Sequence, residues 1–419
     1  MGAIRQNPDY DLLVAGGGMI GTSLALAVAP LGLSIAVVEP VERGAPAQPS
    51  FDDRSTALSR STQRIFEALG LWPGIARDAV RITRVHVSDR GRFGFSHIDA
   101  AEQRVEALGH VVVNRVLGQV LDAALAKTPG VTVHCPARVA AVAADGAAAT
   151  VTIEDSDGRA TRVSTRLLVA ADGAGSAVRD MLGIDVRRTE YGQTAVIGNL
   201  LTEKPIGECA YERFTEAGPL ALLPLTEGRS AFVWTLDNGE AARVAALADD
   251  AFLAELQAAF GYRLGTFSTV GARASYPLAL TRAARITAPR AVLVGNAAHG
   301  LHPVAAQGFN LGLRDVAALA DCIADELAAA SDAGRPADIG TPAVLDRYAD
   351  WRRSDQRKLV RFTDGLVRLF GRSNPAARIL RDAGMLAFDL VPGVRRQFAR
   401  HTMGLTGRLP RLARGIRLG

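Results

Sequence analysis

The 419-residue sequence predicts an α/β fold in which a parallel-sheet domain is interrupted by an inserted, mostly antiparallel sheet and followed by C-terminal helices. Three observations predict it. A strand, a glycine-rich turn, a helix and a second strand follow one another near the N-terminus, and short alternating segments fill residues 187–277. A buried strand then returns at Ala291. The parallel-sheet domain is therefore predicted to be discontinuous in sequence.

The elements of the first domain are predicted from short apolar runs and from helical spacing. Near the N-terminus we expect a strand over Tyr10–Ala15, a turn over 16–21, a helix over 22–29 and a strand over 34–38. Further along, we expect a strand over 111–113 that enters a helix over 114–125, antiparallel strands within 131–153 and a buried strand over 166–171. The last buried strand covers 291–294, and Gly308 opens a helix.

Composition narrows the class of protein. A hydrophobic content of 48% fits a folded chain with two or three structural units. Aromatic residues make up 5%, too few to suggest a surface on which bases stack, so we expect no nucleic-acid partner. The net charge of +5 and the pI of 9.4 come mostly from arginines that gather near the C-terminus.

Cysteine spacing and hydropathy indicate the compartment. Cys135, Cys209 and Cys322 lie far apart without CxxC spacing, which predicts neither a zinc site nor a disulfide framework. The N-terminus leads straight into a strand, leaving no room for a secretory signal, and no apolar run reaches the roughly 20 residues of a membrane span. We expect a cytoplasmic protein whose membrane contact, if any, is peripheral to the inner membrane.

A glycine motif carries the clearest chemistry. Gly16, Gly18 and Gly21 form GxGxxG between a strand and a helix, and Glu39 closes the next strand. Glycines allow the backbone to approach a pyrophosphate at a helix N-terminus, and the acid accepts hydrogen bonds from ribose hydroxyls. The motif therefore predicts a Rossmann-like dinucleotide site, although it does not distinguish FAD from NAD.

Two further motifs give a family resemblance. Residues 172–179 (DGAGSAVR) and 295–299 (GNAAH), together with the glycine motif, resemble the signatures of single-component FAD-dependent aromatic hydroxylases over roughly residues 8–360. Residues 53–59, and 301–303 before 307–312, resemble the ubiquinone-biosynthesis hydroxylases, and within them the 2-polyprenyl-6-methoxyphenol hydroxylase branch. Asn296 stands where many members have Asp, and Ala306 stands where Gly is frequent.

The resemblance implies a cofactor site. Its residues would be Gly16, Gly18, Gly21, Glu39, Arg54, Arg115, Asp172, Asn296, Gly308, Phe309 and Asn310, with Pro303, Gly308 and Asn310 around the flavin ring. Arg54 and Arg115 suit phosphates as fork-shaped donors, but each is otherwise an ordinary surface charge. Asp172 or Ser176 also fits a helix N-cap. We expect no metal, because His299 and His302 have no third ligand at suggestive spacing.

The resemblance also implies domain limits. An FAD-binding domain would comprise residues 1–80, 106–186 and 278–335, and a substrate domain residues 81–105 and 187–277. A C-terminal helical region with a basic tail would cover residues 336–419. Phe214, Leu220, Leu222, Leu223, Phe232 and Trp234 of the inserted sheet fit either an apolar substrate entrance or ordinary sheet core.

The implied chemistry is ring hydroxylation of a polyprenyl phenol. FAD would be reduced by NAD(P)H or another transient donor, because the chain has no second glycine motif for a resident nicotinamide. It would then react with O2 to a C4a-hydroperoxide that transfers oxygen to the ring. No side chain is identified as a general base. Hydroxylation of another aromatic ring, an FAD-dependent reductase that does not use oxygen, and an accessory FAD-containing subunit all stay open.

The C-terminus suggests a second surface. Residues 394–419 contain no acidic residue, and they carry seven arginines: Arg395, Arg396, Arg400, Arg408, Arg411, Arg414 and Arg417. Leu405, Leu409, Leu412 and Ile416 recur at helical spacing, although Pro410 interrupts the helix. The pattern fits contact with an anionic membrane or with a protein such as a ubiquinone-biosynthesis complex. It fits a solvated basic tail equally well.

Overall fold

The computed structural model describes residues 8–45, 54–90, 95–144, 146–300, 307–370 and 392–419. Strands in chain order are β1 (Tyr10–Ala15), β2 (Ile35–Val38), β3 (Ser55–Ser59), β4 (Val80–Ile82), β5 (Arg84–Asp89), β6 (Phe95–Asp99), β7 (Gly109–Val113), β8 (Val131–His134), β9 (Ala137–Ala144), β10 (Ala149–Asp155), β11 (Ala160–Ala170), β12 (Val186–Thr202), β13 (Cys209–Phe214), β14 (Pro219–Pro224), β15 (Arg229–Asp237), β16 (Phe267–Val270), β17 (Ala274–Ala283), β18 (Thr287–Ala288), β19 (Ala291–Leu293) and β20 (His299–Gly300). Helices are α1 (Met19–Val28), α2 (Arg60–Ala68), α3 (Trp72–Ala76), α4 (Asn114–Leu125), α5 (Ala177–Met181), α6 (Asn238–Ala245), α7 (Asp249–Phe260), α8 (Gly308–Asp332), α9 (Pro342–Phe370) and α10 (Pro392–Thr402).

The first sheet has the order β18-β19-β11-β1-β2-β8, and its strands β19, β11, β1, β2 and β8 run parallel. These strands are apolar because both faces of the sheet are covered. On one face Leu12 and Val37 pack with residues of α1 and α8, such as Leu24 and Leu313. The other face packs around Leu168. The predicted discontinuous parallel sheet is confirmed.

The stretch 131–153 differs from its prediction of antiparallel strands only. Its first strand, β8, pairs in parallel with β2 and extends the main sheet, whereas β9 and β10 form an antiparallel hairpin against β11. The alternation of residues along β8 does not indicate its parallel pairing with β2. That pairing depends on the crossover through α4, which lies outside the strand.

The second sheet has nine strands in the order β20-β17-β12-β15-β14-β13-β5-β6, with β16 beside β12. It is antiparallel apart from the pairing of β13 with β5. One side, which we call the outer face, lies against α7 through Leu222, Phe232 and Phe252. The opposite side, the inner face, packs through Ala210 and Ala231 against the first domain.

The predicted domain limits stay predictions. Two elements of the second sheet extend beyond the expected substrate segments: β17 continues past residue 277, and β20 adds a strand from residues 299–300. A small third sheet, β3-β7-β4, supports the inner face through Ile82 and Val111. The two large sheets are thus joined at the segment that carries the third sequence motif.

The C-terminal segment packs on the first domain. Leu412 and Leu418 join the core beside α8, and the Arg411 guanidinium donates from Nε to Asp321 Oδ1 at 3.0 Å. The apolar spacing predicted for a surface helix therefore serves the fold, except at Ile416, which is 47% exposed. In the part of the chain that the structure describes, no helix combines the length and apolar character needed to cross a bilayer.

Candidate cofactor and substrate site

The glycine motif forms the tight turn that its spacing predicts. Gly16 adopts a φ of 99°, and a Cβ there would lie 2.5 Å from the Ala171 carbonyl oxygen. A Cβ on Gly21 would lie 1.9 Å from the Gly16 carbonyl oxygen. Gly18 is the N-cap of α1 and has no side chain to cover the helix start. The turn and the amide end of α1 are therefore left open to a phosphate group.

Glu39 lies at the end of β2, beside this turn. Its carboxylate is 5% exposed and accepts hydrogen bonds from the backbone N–H groups of Gly17, at 2.7 Å, and Val41, at 3.0 Å. These bonds fix the carboxylate while leaving other lone pairs for hydroxyl donors. The arrangement suits the predicted recognition of an adenosine ribose.

Asp172 follows β11, and its contacts fit both predicted roles, a helix N-cap and a cofactor contact. Its Oδ2 accepts the Val178 N–H at 3.1 Å, and Ser176 caps α5 by accepting the Arg179 N–H at 3.0 Å. The Asp172 Oδ1 atom is buried and has no hydrogen-bond partner among the described residues. Because an unsatisfied buried acceptor is costly, this atom suits a ligand hydroxyl.

Arg54 and Arg115 are brought to one end of the third sheet. The Asn114 N–H donates to the Arg54 carbonyl oxygen at 2.8 Å. Arg54, just before β3, and Arg115, just after β7, therefore lie at the same end of two paired strands. The Arg54 guanidinium lies 4.9 Å from the centre of the Tyr276 ring on the second sheet, and Arg115 is exposed in the first turn of α4. The structure brings both arginines to this end of the third sheet, and their contact with a phosphate stays a prediction.

The third motif leaves β19 as a short 3-10 helix over Gly295–Ala297. Asn296 is exposed there between buried neighbours, so its side chain is free of the core packing. Arg179 donates to the Ala297 carbonyl oxygen at 3.3 Å, which ties the second motif to the third. Helix α8 begins at Gly308, as its sequence predicts.

Two of the predicted cofactor-site residues, Asn310 and Phe309, also make contacts that stabilise the fold. The Asn310 amide donates to the Ala57 carbonyl oxygen at 2.9 Å, and its Oδ1 accepts the Ser59 N–H at 2.8 Å. Phe309 stacks on Phe66 at 6.4 Å between ring centres. The predicted flavin contacts of the backbone amides near Gly308 stay predictions. Pro303, together with Asp53, Leu301, His302 and Ala306, lies outside the described residues.

A buried charge network that sequence reasoning missed holds this segment. Asp315, fully buried in α8, accepts the Gly295 N–H at 3.2 Å, pairs with His299 at 2.6 Å and with Arg352 of α9 at 2.6 Å. Arg352 continues to Asp355 at 2.6 Å. Asp315 belongs to the third sequence motif, but no sequence pattern indicates Arg352, because its partner lies 37 residues away.

The electrostatics of the network favour the ionised forms of Asp315 and Arg352. Burial alone would raise the pKa of Asp315, but the Arg352 guanidinium and His299 outweigh it and lower that pKa to about 2. For Arg352, burial acts to lower the pKa, and Asp315 and Asp355 reverse this so that the pKa is raised. The ion pair is therefore present throughout the neutral range.

The motifs meet at one edge. Gly16, Glu39, Asp172 and Gly295 each follow the carboxyl end of a strand in the parallel set β1, β2, β11 and β19. Ligands of open α/β sheets bind outside such ends. An open glycine turn, a fixed ribose-type acid, an unsatisfied carboxylate oxygen and two arginines therefore fit a dinucleotide cofactor such as FAD. The glycine turn and Glu39 would hold the adenosine part of FAD. Asp172 and Asn296 would hold its ribityl chain, the polyol.

Comparison with known proteins agrees with that fit. Residues 9–363 match the FAD binding domain family. The chain belongs to this family. The flavoprotein is 39% identical to the ubiquinone hydroxylase UbiL of Rhodospirillum rubrum over 97% of this chain and 93% of that protein. It is 31% identical to the 3-demethoxyubiquinol 3-hydroxylase of Escherichia coli over 95% and 100% of the two chains.

A solved structure gives the same architecture. The p-nitrophenol 4-monooxygenase PnpA of Pseudomonas putida superposes with a TM-score of 0.78 and 21% identity, covering 95% of this chain and 98% of that one. The predicted fold class, an FAD-binding domain with an inserted sheet, is confirmed. The family match and the ubiquinone-hydroxylase relatives identify the flavoprotein as an FAD-dependent aromatic-ring monooxygenase.

The apolar residues proposed for a substrate entrance divide between the two faces of the second sheet. Leu220, Leu222, Phe232 and Trp234 lie in the outer core under α7. Their role is sheet packing. Leu223 packs on the inner face, and Phe214 shares that face by alternation along β13. Only these two of the six residues face the cofactor side.

Proposed function

We propose that this flavoprotein hydroxylates the aromatic ring of a polyprenyl phenol in ubiquinone biosynthesis, with 2-polyprenyl-6-methoxyphenol as its substrate. The observation that carries the proposal is the match to the Rhodospirillum rubrum ubiquinone hydroxylase along nearly the whole of both chains. The site residues fit FAD, and bound FAD, once reduced, supplies the activation of O2. NAD(P)H is the proposed transient electron donor.

The chain's own residues bind, orient and shield the reactants in this proposal. The glycine turn and Glu39 hold the adenosine half, while Asp172 and Asn296 hold the polyol. The amides at the start of α8 stabilise negative charge on the ring system. The inner face of the second sheet lies opposite and presents the phenol, so that the reacting carbon is held close to the flavin.

A second substrate has support from one relative. The Escherichia coli protein named 3-demethoxyubiquinol 3-hydroxylase matches over its full length, so a demethoxyubiquinol is the alternative ring. The chemistry would be the same, and only the presentation of the ring carbon would differ.

Metabolite analysis of cells that lack this protein separates these substrates. Accumulation of a polyprenyl-methoxyphenol is the expected result, and accumulation of a demethoxyubiquinol would favour the second substrate. Reintroduced wild-type protein should restore ubiquinone. Unchanged quinone levels in the deletion strain would contradict the proposal.

We also propose that the C-terminal arginines make a peripheral contact with an anionic membrane or a ubiquinone-biosynthesis complex, as a lipid-tailed substrate would favour. Truncation is a poor test, because it removes buried Leu412 and Leu418 from the core. Charge reversal at the exposed Arg396, Arg400 and Arg417 leaves that packing intact.

Reversing these three arginines to Glu is expected to weaken binding to vesicles that contain anionic lipid by about 100-fold or more, since each basic group contributes about 1 kcal/mol. Co-sedimentation gives the measurement. The matched control reverses exposed Arg159, Arg162 and Arg187 elsewhere on the surface. Equal vesicle binding by wild type and both variants would exclude a membrane role for the tail.

A further inference from the structure

Glu212 is a carboxylate in an apolar row on the inner face of the second sheet. In the strand register it lies opposite Val87 of β5 and Ala221 of β14. The row continues through Val233 to Ile197. Glu212 is two residues from Ala210, which packs on the inner face, so alternation places both side chains on that face.

The inner face is directed toward the cofactor side. Tyr276 shares this face, because it pairs with Ala195, two residues from Ile197, and the Arg54 guanidinium lies 4.9 Å from its ring. At one edge of the same sheet, β20 connects the sheet to the Gly295 turn. The row that contains Glu212 therefore lies on the face that is directed toward the predicted flavin site, four strand positions from Tyr276.

Exposure distinguishes the two faces at this row. On the outer face Leu222 and Phe232 are 0% and 1% exposed, under α7. On the inner face Ala221, Val233 and Ile197 are only partly buried, as is Glu212. Among the described residues, the inner face at this row is therefore less fully covered than the outer face, and its composition suits an apolar ring with one polar group.

The state of Glu212 suits proton transfer. No hydrogen bond or ion pair joins it to another described residue, and burial raises the pKa of its carboxyl to about 7. By alternation along the strands, titratable groups on the same face include Asp89 on β5, Arg229 and Asp237 on β15, and Tyr276 on β17, with Arg54 above the tyrosine. A carboxyl that ionises near neutrality can exchange a proton in both directions at working pH.

We propose that Glu212 is the general base for the phenol. This inference rests on the proposed phenolic substrate. As an oxygen atom from O2 bonds to the ring carbon, the phenol O–H bond breaks, its proton passes to the Glu212 carboxylate and its electron pair enters the ring. The attacked carbon then loses its hydrogen as a proton to solvent, aromaticity returns, and Glu212 gives its proton back to the ring oxygen. The donor supplies two electrons, and the second oxygen atom leaves as water.

Three variants test this role. Glu212→Gln removes the base, Glu212→Asp keeps a carboxylate, and Glu216→Gln is the matched control, exposed in the turn after β13. In Glu212→Gln we expect hydroxylation to fall by about 10²- to 10⁴-fold. FAD content and the rate of flavin reduction should be unchanged. Glu212→Asp should recover part of the rate, and Glu216→Gln should match wild type.

A binding measurement reports on Glu212 without turnover. The probe is 4-nitrophenol, bound to the FAD-loaded protein across a pH series. In wild type the Kd should rise by up to about tenfold per pH unit above neutrality, because the carboxylate and the phenolate share one proton. Glu212→Gln should abolish that rise, because the uncharged amide can donate to the phenolate without a proton being taken up. An identical pH series in both proteins would overturn the assignment.

Failure of the proposed function and failure of the Glu212 assignment would give different results. A wild-type protein that hydroxylates no polyprenyl phenol would refute the proposed function, whereas the 4-nitrophenol series would still show whether Glu212 faces a bound phenol. A wild type that hydroxylates, together with Glu212→Gln at the same rate and pH dependence, would refute only the role of Glu212.

Discussion

Replacing Asp315 with Asn is expected to lower the free energy of unfolding by about 3–5 kcal/mol, the usual cost of breaking a buried ion pair. The substitution removes one of the two carboxylates that the Arg352 guanidinium, which is 1% exposed, contacts at 2.6 Å, so that only Asp355 remains. It also weakens the anchors of His299 and of the Gly295 N–H. Because stabilities of folded domains are about 5–15 kcal/mol, the loss is large.

The same variant should bind FAD more weakly. Asp315 holds the turn that presents Asn296, so the turn should become mobile when its anchor is lost. Thermal unfolding and flavin absorbance per protein give the two measurements. Asp332→Asn is the matched control, since Asp332 is exposed at the end of the same helix. A Tm and a flavin content equal to those of wild type would contradict the role of the network.

The contribution of Asp315 also has a pH dependence with a definite sign. Its pKa is lowered from 3.8 to about 2 in the folded chain, so its stabilisation is complete above the ordinary value. As the pH falls from about 4 to about 2, the difference in stability between wild type and Asp315→Asn should narrow. A constant difference over that range would show that the carboxylate charge is not what stabilises the fold.

Replacing Gly21 with Ala is expected to weaken FAD binding by about 10- to 100-fold. The added Cβ would lie 1.9 Å from the Gly16 carbonyl oxygen, so the turn or α1 must shift. Forcing an extra carbon into a packed site costs about 1–3 kcal/mol, and each 1.4 kcal/mol is tenfold in affinity.

Reconstitution of the apoprotein with FAD measures this effect as a Kd. Gly239→Ala is the control, because a Cβ at that helix start meets no atom within 4 Å. It should leave the affinity unchanged. Wild-type affinity in Gly21→Ala would show that the phosphate turn does not need the close approach seen between Gly21 and Gly16.

The sequence predicts those parts of the site that depend on local rules. Gly16, Glu39, Asp172 and Asn296 each follow a short apolar strand, and parallel strands bring their carboxyl ends to one edge. Their convergence could therefore be expected before the structure. The helix start at Gly308 follows in the same way.

The remainder depends on tertiary packing. Nothing local pairs Asp315 with Arg352 or sends the Asn310 side chain to β3. The C-terminal leucines have the spacing of a surface helix, yet Leu412 is buried. Next to it, Arg411 forms an ion pair with Asp321 of α8 that holds the segment on the first domain. No sequence pattern indicates Glu212, because its neighbours Val87, Ala221 and Val233 come from other strands.

The most direct test of the central claim is oxygen incorporation by the purified protein. It should be loaded with FAD and given NAD(P)H, a short-chain 2-prenyl-6-methoxyphenol and isotopically labelled O2. The expected result is a product that has gained one labelled oxygen atom on the ring and does not form without O2. Conversion of the phenol in the absence of O2, or oxidation of NAD(P)H with no labelled product, would contradict the assignment as a ring hydroxylase.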